Sequence, residues 1–171
     1  MTVPASPLQL RERVTLRPII EPDDGEFLEE LYFSTRDDLN GLFPDPKDAR
    51  QLVLMQQKAQ AVAYKHEFPN ATYELILFDG NRAGRIVIDR SAPALILVDI
   101  VLLPTSRNLG IGSAILDSLL RECRQNARPC VLSVIKTNRA KGLYARKGFD
   151  VIEDSGTHFL MRWNPGGEEL L

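Results

Sequence analysis

Residues that bind metals or cross-link chains are scarce in this sequence. Its 171 residues hold two cysteines, Cys123 and Cys130, and two histidines, His66 and His158. No histidine lies near the cysteines, and their close spacing fits neither a disulfide framework nor a zinc site. Cys123 falls in a helical pattern and Cys130 opens an apolar run, the setting of buried structural thiols. No metal is expected. Charge of either sign is nearly balanced: the net charge is −2, so nothing draws the whole chain towards nucleic acid or an anionic membrane. No apolar run approaches the length needed to span a bilayer. Residues 1–10 lack the basic and apolar blocks of a secretory signal, so a reducing cytoplasm is the expected setting. There is no internal repeat and no linker long enough to divide the chain.

What is present is ordinary globular material, 44% hydrophobic and 26% charged, in a length that suits one domain with a sizeable core. Residues 1–12 read as a loose arm, 13–163 as a single domain and 164–171 as a flexible tail. A short strand at 14–17 stops at Pro18. Acidic residues at 21–24 open a helix over 23–35, where they suit the positive end of its dipole. An irregular connection over 36–46 contains Asn40-Gly41. A second helix begins at Lys47 or Asp48, with Leu52, Met55, Ala59, Val62 and Ala63 as its apolar face. Strands at 73–78 and 83–89 form a hairpin about Asp79-Gly80-Asn81. A long strand covers 94–103, and a helix ending near Asn126 follows it. The almost wholly apolar run 130–135 fits an interior strand, parallel to its predecessor across a βαβ crossover. A last helix lies between Asn138 and Gly148, and two strands, 149–153 and 157–163, close the chain. The order is β-α-α-β-β-β-α-β-α-β-β. The fold class is α+β: a mixed, mostly antiparallel sheet splayed at one parallel βαβ joint and flanked by helices.

That joint carries the most informative stretch, residues 98–113: an apolar strand, a polar turn, then Gly110 and Gly112 opening a helix near Ser113. Glycine serves where backbone must approach a ligand closely or take positive φ. A helix N-terminus offers unpaired N–H groups and a positive dipole end. Together they suit a phosphate, although the same glycines serve a tight strand-to-helix turn with no ligand. A dinucleotide fingerprint is excluded, because Ile115 stands where the third glycine belongs and no acid follows at ribose distance. A nucleoside triphosphate loop is excluded because the turn has no Gly-Lys-Ser/Thr.

The pattern Arg107-Asn108-Leu109-Gly110-Ile111-Gly112 instead resembles the pyrophosphate motif of the GNAT superfamily of N-acetyltransferases. A second motif of that family matches Asn138, Ala140, Leu143-Tyr144 and Gly148-Phe149, and the pair in this order covers about residues 13–163. Asn108 departs from the glycine or basic residue common there, and Gly142 interrupts the last helix.

The resemblance implies transfer of an acetyl group from acetyl-CoA to a primary amine of a small molecule or protein, by direct attack through a tetrahedral intermediate. It implies pyrophosphate binding by Arg107, Asn108, Leu109, Gly110, Ile111, Gly112 and Ser113. Val101, Leu102 and Leu103 would hold the pantetheine arm through main chain, with an N–H near Leu102 polarising the thioester carbonyl. Asn138 would bond the cofactor arm or simply cap its helix, and Lys147 would reach the cofactor's 3′-phosphate or lie at a solvated helix end. Tyr144 would protonate the leaving thiolate as general acid, its plain alternative being a packed aromatic. Asp99 is the candidate base, the one ionised side chain in its apolar run, and strand alternation sets it on the face of Val101 and Leu103. A structural hydrogen-bond role is its alternative. Glu74 is a second candidate base, while His66 and His158 carry no motif. Residues 32–48, with Tyr32, Phe33, Asp37, Asp38, Phe43, Asp45 and Asp48, would meet a cationic amine or form solvated surface. A non-catalytic acyl-CoA-binding module, a longer acyl donor and a homodimer paired through a sheet edge stay open.

Overall fold

The computed structural model describes residues 7–36 and 45–166. Along them run α1 (Pro7–Arg13), β1 (Val14–Pro18), α2 (Gly25–Phe33), α3 (Pro46–Glu67), β2 (Thr72–Phe78) and β3 (Asn81–Asp89). Then follow β4 (Leu95–Leu102), α4 (Ile111–Gln125), β5 (Cys130–Ile135), α5 (Ala140–Arg146), β6 (Asp150–Asp154) and β7 (His158–Trp163). The strands make one seven-stranded sheet in the order β1-β2-β3-β4-β5-β7-β6. Every neighbouring pair is antiparallel except β4–β5, which α4 connects. The expected α+β class and its single parallel joint are both present.

One element is additional. Residues 7–13 are helical rather than part of a loose arm. Pro7 opens this helix at the position where its missing N–H leaves no bond unmade. The helix packs on the start of α4: a Cβ built on Gly110 would lie 2.6 Å from Leu10 Cδ2. Residues 1–6 of the expected arm, the Asn40-Gly41 connection and residues 167–171 of the tail fall outside the described residues.

A second difference concerns α3, which starts at Pro46 after an Asp45 cap whose carboxylate accepts from Lys47 N at 2.8 Å. The expected apolar face turns mostly outward, with Met55 63% and Val62 69% exposed. The inward side is instead held by Val53, 1% exposed, and by Gln57, whose amide donates to Leu28 O at 3.3 Å. Apolar residues lie on both sides of this helix, so their spacing alone does not choose the buried one.

Two apolar layers cover the two faces of the sheet. The larger joins Ile76, Ile86, Ile88, Leu95, Leu97 and Leu132 to Ile115, Leu116, Leu119 and Cys123 of α4. The smaller joins Leu75 to Phe27 and Leu31 of α2, with Val101 and Leu103 packed against it. Both cysteines are free and buried, in line with their reading as structural thiols. A bulge decides which β4 residues reach which layer. Asp99 pairs with Val87 but Leu97 pairs with Ile88, so Val98 is the extra residue. A bulge reverses strand parity. Leu95 and Leu97 therefore face the α4 layer before it, and Ile100 and Leu102 after it, while Val101 and Leu103 face α2.

Asp24 anchors the start of α2 without capping it. Its fully buried carboxylate accepts two bonds from Arg17, at 2.7 and 2.8 Å, and one from Ile20 N at 2.9 Å, with Arg82 3.0 Å away. The Arg17 bonds, then the Ile20 N–H, hold this carboxyl far below the usual carboxylate range. A depressed folded-state pKa stabilises the fold fully above the unfolded value of about 3.9, and that contribution is lost as pH falls further towards the folded value. Denaturant titrations below about pH 4 should therefore show stability falling in the wild type. The fall should be shallower in Asp24→Asn. Parallel slopes would mean that Asp24 does not carry this part of the acid limb.

Candidate active site at the splayed strands

The parallel pair is short. β4 and β5 pair only at Leu95–Cys130, Ile96–Val131 and Leu97–Leu132, although both strands run on. From the Val98 bulge onward they diverge, leaving a gap between two main chains. Main-chain groups alternate sides along a strand. Leu103 N–H donates to Ala83 O at 2.9 Å, and Val101 O points at β3, within 2.1 Å of a Cβ built on Gly84. By alternation, the N–H and C=O groups of Ile100 and Leu102 turn into the gap. Of the three residues expected to offer main chain there, Leu102 is turned that way, whereas Leu103 bonds across to β3 and Val101 O points at it.

The polar turn follows directly. Asn108 (φ 60°) and Gly110 (φ 82°) are both left-handed, a region that Asn and Gly tolerate best. They fold the backbone tightly into α4. Its first helical bond is Ala114 N–H to Gly110 O at 3.0 Å, so the N–H groups of Ile111, Gly112 and Ser113 have no partner within the helix. A Cβ on Gly112 would make only an ordinary contact, with Leu143 Cδ2 at 3.5 Å. Arg107 reaches back, its Nε donating to Leu102 O at 3.1 Å. Leu109 is exposed. The arrangement is an anion cradle at the end of the gap.

α5 follows the other splayed strand. Asn138 Oδ1 accepts from Ala140 N at 2.9 Å, so it fixes the entry to this helix. Lys147 Nζ donates to Asp117 Oδ1 at 2.6 Å, joining α5 to α4. Gly148 closes the helix at φ 89°. Tyr144 is 6% exposed and meets Phe149 edge-on, with ring centroids 5.8 Å apart. Burial first, then the charge of Asp99, pushes its phenol up to about 12. The phenol therefore keeps its proton at neutral pH.

Asp99 lies on the face of Val101 and Leu103, as alternation implies, and is ion-paired with Arg85 of β3 through Oδ2. No hydrogen bond reaches its other oxygen from the described residues. Sequence reading missed Arg85, although the signal was there: it is the one cation between Ala83 and Asp89, just as Asp99 is the lone acid of its own run. Tyr64 of α3 also belongs here. Burial, then Asp99, raises its hydroxyl to about 12.

The other candidate bases lie elsewhere. Glu74 is 4.0 Å from Arg90, which also bonds Glu122 of α4 at 3.0 Å, so it faces the α4 layer and not Asp99. His66 sits on the outward side of α3 beside Val62 and Ala63. His158 Nδ1 is 2.8 Å from the Thr157 hydroxyl at the start of β7. In the expected acceptor region, Tyr32 is near enough to Tyr64 to help raise its hydroxyl, and Asp45 and Asp48 are exposed at the start of α3. Asp37, Asp38 and Phe43 lie outside the described residues. Among the described residues no cluster of three or more metal-binding side chains occurs, and no helix is long and apolar enough to cross a membrane.

The family model described as an acetyltransferase (GNAT) domain matches residues 44–163. No curated protein matches the sequence. Solved structures share the fold at low identity. The PaiA N-acetyltransferase of Thermoplasma acidophilum, solved with coenzyme A, is 18% identical at TM-score 0.62, covering 88% of this chain and 98% of its own. An acetyltransferase of Thermus thermophilus is 17% identical at TM-score 0.63, covering 88% and 96%. Naa50 of Arabidopsis thaliana, in complex with the bisubstrate analogue CoA-Ac-MVNAL, is 18% identical at TM-score 0.53, covering 89% and 99%.

Proposed function

Because the chain belongs to the GNAT acetyltransferase family, we propose that it moves an acetyl group from acetyl-CoA to a primary amine by direct attack on the thioester. The observation that carries this reading is the gap itself: β4 outruns its pairing with β5 and leads to a helix N-terminus whose first N–H groups have no partner within the helix. An extended, amide-bearing arm fits between two diverging strands, and a pyrophosphate fits the N–H groups at the end of it. The coenzyme A bound to the Thermoplasma protein of the same fold supports the choice of ligand.

The chain's own residues then divide the work. The turn 107–113 holds the pyrophosphate through backbone N–H groups, and the Arg107 guanidinium keeps donors free beyond the one on Leu102 O. Ile100 and Leu102 pair with the arm, and Leu102 N–H polarises the thioester carbonyl. Asn138 sets the position of α5, and Lys147, through Asp117, fixes the spacing of the two helices that follow the splayed strands. The amine nitrogen bonds to the carbonyl carbon, the carbon–sulfur bond breaks, and the departing sulfur takes the Tyr144 phenol proton. The proton lost from nitrogen passes to Asp99 or solvent, and Tyr144 is reprotonated from solvent. Asp99 orients the amine; its pairing with Arg85 holds the carboxylate in place.

A ligand that binds only the native state raises its melting point. Acetyl-CoA at a hundred times its Kd should add about 2.7 kcal/mol of stability, roughly 5–10 °C for a chain of this size. ATP and NAD should add nothing. An absent shift with acetyl-CoA overturns the reading. A shift without thiol release over a panel of amines reduces the protein to an acyl-CoA-binding module.

A further inference from the structure

Three strands set a polar patch on one face of the sheet, and its Asp99 end lies beside the gap. Tyr73 pairs with Val87 and Val87 with Asp99; in the next row Leu75 pairs with Arg85 and Arg85 with Val101. Residues directly opposite on neighbouring strands share a face and lie about 5 Å apart. Tyr73, Arg85 and Asp99 therefore project on the same side of the sheet, away from α4. Two polar atoms in this group are buried with no hydrogen-bond partner among the described residues, the Tyr73 hydroxyl and Arg85 Nε. A buried polar group left unpaired is costly, so two neighbouring donors in that state mark a place where an acceptor belongs. Beside them the second oxygen of Asp99 can only accept.

We infer that the acceptor substrate is a free α-amino acid, its carboxylate held by Arg85 Nε and the Tyr73 hydroxyl and its amino group by Asp99. This rests on the acetyl-transfer reading above. One donor is part of a cation, and charge-assisted bonds favour an anionic oxygen over an amide carbonyl. Arg85 and Asp99 are themselves in contact, so the ligand's two charges must be close neighbours, as they are across a single α-carbon. Asp99 precedes Ile100 and Leu102, whose main-chain groups turn into the gap. An amine on Asp99 thus stands next to the reacting carbonyl. Tyr64 closes the polar group from α3, its hydroxyl feeling both Asp99 and Arg85.

The test is calorimetric titration in two stages. CoA is titrated first; failure to bind overturns acetyl transfer and this inference with it. The CoA-loaded protein is then titrated with proteinogenic α-amino acids, their C-terminal amides, short peptides and the matching decarboxylated amines. The expected result is that at least one amino acid binds about tenfold or more tightly than its own amide and amine, about 1.4 kcal/mol. Tyr73→Phe, which keeps the ring, and Arg85→Lys, which keeps the charge, should each shrink that preference. Equal affinity for acid and amide, binding of peptides alone, or a preference untouched in both variants overturns the inference while leaving CoA binding intact.

Discussion

Tyr144→Phe lowers kcat by about 10²–10³-fold, the usual contribution of a positioned general acid, with little change in the affinity for acetyl-CoA. The expectation depends on the substitution being structurally mild. The ring is buried against Phe149 and remains so in phenylalanine; only the hydroxyl is removed. The loss corresponds to about 3–4 kcal/mol of transition-state stabilisation. It falls on kcat and kcat/KM together if the proton is delivered only as the carbon–sulfur bond breaks. Because burial and Asp99 raise the phenol to about 12, the acid form is fully populated throughout the neutral range. Thiol release followed with the wild type and the variant decides the matter. Equal rates would make Tyr144 a core aromatic whose motif match has no chemical consequence.

Gly84→Ala unfolds or severely weakens the protein. An added Cβ would lie 2.1 Å from Val101 O and 2.9 Å from Leu102 Cδ2. The first of these is main chain in a central strand, which cannot rotate aside as a side chain can. β3 and β4 would have to separate opposite the residues that turn into the gap. Overpacking against a rigid neighbour puts the cost at about 3 kcal/mol or more, a fall of roughly 6–12 °C in Tm. Gly112→Ala is the contrasting case. Its Cβ meets only Leu143 Cδ2, at ordinary contact distance, and the change removes a helical glycine, so stability should hold or rise by up to about 1 kcal/mol. Melting curves of the two variants compare a glycine required by close approach with one that packing leaves free. Equal melting points would show that β3 and β4 can move apart cheaply.

The sheet and its one parallel joint were readable because period-two runs, Asp79-Gly80 and the apolar 130–135 strand are local signals. So was the glycine turn, where Asn108 takes the left-handed conformation allowed to it. What escaped depended on contacts between distant residues. α1 was hidden because Pro7 reads as a breaker until a helix is seen to begin on it. The buried side of α3 depends on α2 behind it, which no spacing within α3 encodes. Arg85 was passed over because a lone cation in a strand acquires meaning only when the register sets it diagonally from Asp99. Glu74 was a candidate base by its type alone; it lies on β2, two strands from Asp99, and projects to the opposite face.

The divergence of β4 from β5 has a consequence for the molecule without its ligand. A seven-stranded sheet normally has two open edges; this one has two more in its middle. Free strand edges invite pairing with other chains and are usually blunted by charge, proline or a covering element. Here the interior edges converge at their base, where Leu97 still meets Leu132. The wide end lies between the turn that follows β4 and the start of α5. Under the acetyl-transfer reading, the edges that hold the cofactor arm are the same edges that the empty protein leaves unpaired, so ligand occupancy should also lower any tendency to pair with a foreign strand.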